Sequence, residues 1–348
     1  MNKLRHLSKK LQAYYIAIIS IAGLCACVHN RVYADNSILL KSNLKVLDIG
    51  NSYTNDATNL LPEIAAASCS DISDLCLYKA TRSSGSFKNW YDIYHDQDNG
   101  TTYTISKVLG GIDANITTGN GEAGDGSLFR EALENEKWDI IIIHQMSTYA
   151  PYYAEWNTTG KGGYLKELLA ILKDKQPQAM IGFLLVHSYW DGHSGNKEKS
   201  SYLRWQLIAN SVKRLCAEYG ISFVIPYGTA VENLRSSSLN NEFDLTRDGT
   251  HCGFGLCRYT AACCYYESLI APRSGISVLG NTARYDASKA EETTYPSVSV
   301  TDENALIAQK AAILATENWY ECVNPETVTN IHHISNILIG GVIKYPTN

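Results

Sequence analysis

The sequence predicts an α/β chain: a three-layer α/β/α sandwich around a mainly parallel, doubly wound sheet. Three observations predict it. Short apolar runs alternate with amphipathic stretches of helical length, the rhythm that builds parallel sheets covered by helices. Two of those runs, Trp138 to Ile143 and Met180 to Val186, are apolar without alternation, as in strands buried on both faces. The composition, 45% apolar and 19% charged over 348 residues, can bury a core of ordinary size with no metal or disulfide staple.

The elements follow in order. Leu44 to Ile49 reads as the first strand, stopped at Gly50, and Asn59 to Ala67 as a helix. Leu75 to Ala80 reads as a strand, followed by a polar turn and an amphipathic stretch through Tyr94. Residues 96–126, rich in Gly, Thr and Asp, break the rhythm and read as an excursion. Leu128 to Glu136 is helical, Trp138 to Ile143 a strand, and Tyr164 to Lys175 a helix that stops before Pro177. Met180 to Val186 is a strand, and Glu198 to Tyr219 a long helix capped by Gly220. Ile221 to Ile225 is a strand and Phe254 to Ile270 a helix. Glu303 to Tyr320 forms one more helix before an irregular tail. The expected organisation is a leader over 1–34, a domain over 35–275, and a C-terminal helical extension and tail over 276–348 packed on that domain.

The leader is read from Lys3, Arg5, Lys9 and Lys10 ahead of the charge-free apolar run Leu11 to Val28, the order of a secretory signal. Two endings compete. Val32-Tyr33-Ala34 fits cleavage after Ala34, whereas Leu24-Cys25-Ala26-Cys27 resembles a lipobox that would lipidate Cys27 and tether the protein to a membrane. An uncleaved anchor helix is the third reading. The expected location is therefore outside the cytoplasm: periplasmic, secreted or on the outer membrane. Without residues 1–34 the chain has 25 basic against 35 acidic side chains, which argues against nucleic acid or an anionic surface as partner. Eight of the ten cysteines lie beyond the leader. No C-x-x-C occurs, so a zinc ribbon or dithiol redox site is not expected. Cys69 and Cys76 are spaced to bridge a short loop, but the plainer reading is of small buried side chains.

In doubly wound sheets the chemistry sits at the carboxyl ends of the strands. Those ends are Gly50-Asn51-Ser52, Ser83-Ser84-Gly85-Ser86, His144-Gln145-Met146-Ser147 and His187-Ser188, with Asp248-Gly249-Thr250-His251 ahead of the last helix. A nucleophilic serine needs a base and an orienter for that base. Asp248 lies three residues before His251 across a glycine-containing turn. A carboxylate there reaches the imidazole Nδ1–H and leaves Nε2 to face Ser52. Backbone N–H groups of Ser52 and Gly85, with the Gln145 amide, are the expected oxyanion donors, and His144 stands behind Gln145 in that role. Asn51, His144, His187 and Trp90 are the expected substrate-binding side chains. Tyr189, Trp190 and Tyr91 are further candidates for a sugar-stacking wall. His187, Asp191 and His193 meet the minimum for a metal set but match no firm zinc pattern, so no metal and no cofactor are expected.

Gly50-Asn51-Ser52, the Gly85 loop and Asp248-x-x-His251, in that order, resemble the nucleophile, glycine and final blocks of SGNH (GDSL-like) hydrolases. Ile49 to Thr54, Trp138-Asp139 leading into the Ile run and Gln145-x-Ser147, and Asp248-Gly249-Thr250-His251 with Gly255 and Tyr259 are more similar still to an SGNH-like family common in gut Bacteroidetes, the DUF4886 type. The resemblance spans about residues 44 to 270. It implies a flavodoxin-like SGNH fold and hydrolysis of short-chain, acetyl-type esters, often on carbohydrate, with a small-molecule or glycan ester as partner. One block departs: the usual Gly-x-Asn-Asp is replaced by His144-Gln145-Met146-Ser147, which leaves the third oxyanion donor open. The Gly-x-Ser-x-Gly elbow of α/β-hydrolases is excluded by Thr54 and by the acid lying three residues from the histidine. Two other classes stay open: a non-catalytic carbohydrate-binding surface protein on the same fold, and a lipase or thioesterase.

Overall fold

A computed structural model of the chain describes residues 36–197, 200–240, 245–289, 295, 297–329 and 331. The leader expected over 1–34, with Cys27, and the tail beyond residue 331 lie outside them. Strand β1 (Leu44–Gly50) runs into helix α1 (Ser52–Thr58), followed by α2 (Leu61–Ala67). Then come β2 (Leu75–Arg82), α3 (Phe87–Tyr94), β3 (Tyr103–Gly110), β4 (Gly119–Gly121) and α4 (Ser127–Glu134). The centre of the chain gives β5 (Ile140–Ile143), α5 (Leu165–Lys175), β6 (Met180–Leu184), α6 (Ser201–Tyr219) and β7 (Phe223–Ile225). Helix α7 (Tyr227–Arg235), β8 (Phe254–Gly255), α8 (Leu256–Leu269), α9 (Ala271–Ser274), β9 (Ser297–Val298) and α10 (Asp302–Glu317) complete it.

The main sheet has the order β4-β3-β2-β1-β5-β6-β7. Strands β2, β1, β5, β6 and β7 are parallel to one another, and β3 and β4 add an antiparallel edge. The parallel strands alone follow the flavodoxin-like order, so the winding reverses between β1 and β5. All four isoleucines of β5 are buried, as a central strand covered on both faces requires. Helices α3, α4 and α5 form one group, and α1, α2 and α7 gather round α8 in another, with α10 lying on α7 and α8. This is an α/β fold of the flavodoxin-like kind.

Strands β3 and β4 and helices α1 and α7 were not legible in the sequence. The excursion near 96–126 contains β3 and β4. Tyr103 and Ile105 alternate inward, but Gly and Thr, together with a register shift opposite Leu77 and Tyr78, dilute the two-residue period. Helix α1 consists of weak helix formers, and it stands on the Asn51 cap and on the burial of Tyr53, Thr54, Asp56 and Ala57. In α7 all nine residues are buried, so there is no polar face to reveal a helical period.

Cys69 is exposed and Cys76 buried, and the two are not bridged. Cys252, Cys257, Cys263 and Cys264 are all buried.

Candidate active site

The end of β1 is shaped by what packs against it. A Cβ on Gly50 would lie 2.1 Å from His144 Nε2 and 2.3 Å from Thr54 Oγ1, so only glycine fits. The Gly50 carbonyl accepts from the Trp90 indole at 3.2 Å. Asn51 is buried; its N–H donates to His144 Nε2 at 3.1 Å. Its side-chain oxygen accepts from the Tyr53 N–H at 2.9 Å and its amide donates to the Gly85 carbonyl at 2.9 Å. These four contacts fix the direction in which Ser52, the first residue of α1, leaves the strand.

The Asp248–His251 turn is built by its own acid. Residues Thr246 and Cys252 bridge across its base, and Gly249 takes φ +81°, a conformation glycine adopts freely. Asp248 Oδ1 accepts from the N–H groups of Thr250 (2.9 Å) and His251 (2.8 Å) and from the Thr250 hydroxyl (2.8 Å). Its Oδ2 lies 2.7 Å from His251 Nδ1. Partial burial works to raise the Asp248 carboxyl, but these donations outweigh it and hold the group well below the usual carboxylate range. An ionised acceptor at Nδ1 assigns the proton there, which leaves Nε2 as the acceptor for the Ser52 hydroxyl, 2.8 Å away. The structure thus brings Ser52, His251 and Asp248 into one hydrogen-bonded series.

The other expected site residues are placed differently. The Gly85 N–H donates to the Arg82 carbonyl at 3.0 Å, so it closes a turn instead of facing the cleft. A Cβ there would meet the Gly50 carbonyl at 3.0 Å, and glycine serves close packing of the two strand ends. The Gln145 amide is buried, donating to the Gly162 carbonyl at 2.8 Å and accepting from the Met146 N–H at 2.9 Å. It braces the segment after β5, with its amide nitrogen already engaged away from Ser52. Of the three expected donors, only the Ser52 N–H has no hydrogen-bond partner among the described residues.

Asn51, His144, His187 and Trp90 are all buried, so none of them lines a surface that a substrate reaches. Burial pushes the His144 imidazole down to about 4, and Nδ1 faces the Gln145 carbonyl at 3.1 Å. It is a neutral acceptor beneath the nucleophile turn. Burial, with the Arg235 charge, pushes His187 to about 3, and its ring stacks on Tyr53 at 4.7 Å. Trp90 packs on Phe129 at 4.8 Å. Asn51, His144 and His187, just past the ends of the central strands, turn inward and fill the space under the turn, and Trp90 reaches the same space from α3. His187, Asp191 and His193 do not converge, since Asp191 accepts from the Ser201 N–H and His193 Nδ1 from the Gly195 N–H. Tyr189 is buried with Arg204 over its ring, whereas Trp190 is 36% exposed and donates its backbone N–H to the Gly249 carbonyl at 3.0 Å.

Two residues that the sequence reading did not single out hold the turn. The Tyr53 hydroxyl donates to the Thr250 carbonyl at 2.5 Å, and the fully buried Asp56 receives Arg247, Arg258 and the Cys252 N–H. Their partners lie about two hundred positions away along the chain, so no local spacing betrays them.

Residues 45–297 match the family model described as a domain of unknown function, DUF4886. The chain is similar to the crystal structure of a DUF4886 family protein from Bacteroides uniformis ATCC 8492. The two are 22% identical, with a TM-score of 0.63, over 82% of this chain and 99% of that one. That likeness shows the fold. A candidate SGNH hydrolase from Slackia heliotrinireducens is 16% identical over 65% of this chain and 98% of its own, with a TM-score of 0.42. A candidate GDSL-like lipase from Parabacteroides merdae ATCC 43184 is 15% identical over 66% of this chain and 97% of its own, with a TM-score of 0.41. No curated protein matches.

Proposed function

The chain belongs to the DUF4886 family, and we propose that it is a serine esterase acting by Ser-His-Asp acyl transfer. One observation carries the proposal: Ser52 Oγ lies 2.8 Å from His251 Nε2, and His251 Nδ1 lies 2.7 Å from Asp248 Oδ2. Both distances are within the reach that proton transfer needs.

His251 takes the Ser52 proton as Oγ attacks the ester carbonyl, and the Asp248 carboxylate stabilises the imidazolium that forms. The Ser52 N–H meets the developing oxyanion. His251 then protonates the departing alcohol, and water repeats the sequence on the acyl-serine, releasing the acid and restoring the hydroxyl. An ester suits the site better than an amide because an alcohol is the easier leaving group.

We assign the substrate class as short-chain esters of a carbohydrate. The support is Trp190, a partly exposed indole lying against Gly249 in the turn that presents His251, placed to stack on a sugar ring. The protein acts outside the cytoplasm once residues 1–34 are removed.

The test is hydrolysis of p-nitrophenyl acetate by residues 35–348 beside the Ser52→Ala variant. Loss of the activity in the variant is the expected result. Equal rates in both, or no rate in either with no labelling by a fluorophosphonate, would remove Ser52 from the reaction.

A further inference from the structure

We infer that Asp56 is a positioning residue: its buried carboxylate ties both ends of the acid–base turn to the helix that carries Ser52. The inference rests on the triad reading of Ser52, His251 and Asp248.

Asp56 lies four residues after Ser52 on α1, one helical turn along. Its Oδ1 accepts from Arg247 Nη1 at 2.9 Å and Arg258 Nε at 2.8 Å, and Arg258 Nη2 lies 2.7 Å away. Its Oδ2 accepts from the Cys252 N–H at 3.1 Å and from Arg247 Nη1 at 3.0 Å. Arg247 Nη1 donates in addition to the Cys252 carbonyl. Arg247 immediately precedes Asp248, and Cys252 immediately follows His251. One carboxylate therefore grips the chain on entry to the turn and on exit from it.

The grip is stiff for an electrostatic reason. A carboxylate fully removed from water is costly unless charged partners and N–H groups saturate it, and this one has two guanidiniums and a backbone donor. Any slip of the turn relative to α1 would leave a buried charge short of a partner. The Phe254 ring packs against both guanidiniums, its centroid 4.9 Å from Arg247 Cζ and 4.4 Å from Arg258 Cζ, and adds a cation–π contact to each. The Tyr53 hydroxyl on the Thr250 carbonyl adds a third tie from the same helix. The quantity held constant is the Ser52 to His251 separation. The Asp56 carboxylate bonds neither the Ser52 nor the His251 side chain, so it acts through the turn.

The test compares the native protein with Asp56→Asn and Arg247→Lys on p-nitrophenyl acetate. Reactive serines are counted by fluorophosphonate labelling taken to completion, and folding is followed by the melting temperature. Asparagine cannot pair with two guanidiniums, and turnover per labelled serine should fall about 10²-fold with KM little changed, as for a displacement near 1 Å. Lysine keeps the charge but is shorter and loses the planar guanidinium's contact with the Phe254 ring, and the fall should be about tenfold, as for the loss of one charged hydrogen bond. Unchanged turnover per labelled serine in the folded variants overturns the inference, also when the melting temperature drops, because Asp56 then serves folding alone. Should Asp56→Asn fail to fold, the same ratio for Arg247→Lys decides. A native protein that neither turns over ester nor takes label overturns the triad reading and the inference with it. An active native protein with unaffected variants overturns the inference alone.

Discussion

The nucleophile turn and the acid–base turn meet at one hydrogen bond but are held in opposite ways. The first is held from below by neutral, fully buried groups: His144 accepting from the Asn51 N–H, Trp90 on the Gly50 carbonyl, and Asn51 capping α1. The second is held from the side by charge, through Asp248 on its own loop and Asp56 on its flanks. His251 and Asp248 keep 29% and 28% of their side-chain surface in contact with solvent. The difference separates two jobs. The nucleophile needs a fixed backbone, which packing supplies. The base must carry a charge transiently, which ionised partners stabilise and a dry core would oppose.

The comparison breaks most sharply at the charged side. Asp248→Asn keeps the shape of the turn but removes the acceptor that fixes the His251 tautomer, and kcat should fall about 10⁴-fold with the melting temperature little changed. A loss under tenfold would mean that Asp248 only shapes the loop. On the packed side, Gly50→Ala places a methyl group against His144 and Thr54, and should cost about 1–3 kcal/mol of stability. The displaced turn should also lower kcat about 10²-fold. Chemical denaturation and steady-state kinetics on one preparation measure both, and a fully active, fully stable variant would show that the backbone is not fixed there.

The packed side hides a further charge effect. Burial raises the Asp48 carboxyl to about 7, against hydrogen bonds from Tyr265 and Thr54, and it raises Glu267 to about 7 as well. The sign follows from proton binding. Between the unfolded carboxylate value, near 4, and about 7 the folded state holds the extra proton, so this contribution is complete below about 4 and is lost as pH rises through 7. Asp248, held low, contributes with the opposite sign: its share is present above about 4 and is lost in stronger acid. Asp48→Asn should therefore flatten the fall in melting temperature between pH 4 and 7 and leave the acid limb unaltered. An unchanged slope would place the titration elsewhere. The smallest expected effect is at the rim: Trp190→Ala should raise KM several-fold on an acetylated oligosaccharide, and less on p-nitrophenyl acetate. Equal changes on both would take the sugar-stacking role from Trp190.

What the sequence disclosed divides along the same line. Ser52, Asp248 and His251 were readable because each sits at a strand end or turn with a short local spacing. The parallel strands were readable because β5 and β6 are apolar along nearly their whole length. Asp56 and Tyr53 were not, since each acts on residues far along the chain. Gly85 and Gln145 were misplaced because a strand-end position says which edge a residue occupies, not whether its donors are already engaged. His144, His187 and Trp90 look like polar or aromatic cleft residues in the sequence, and it is their inward direction that gives them another task. Helix α7, buried on every side, offers no periodicity to read.

The most direct test of the account is where a fluorophosphonate attaches. Mass spectrometry of the digested, inhibited protein should place the adduct on Ser52, with esterase activity falling in proportion to the labelled fraction. Full loss of activity with the adduct on another residue, or full activity with Ser52 modified, would contradict the central claim that Ser52 is the nucleophile.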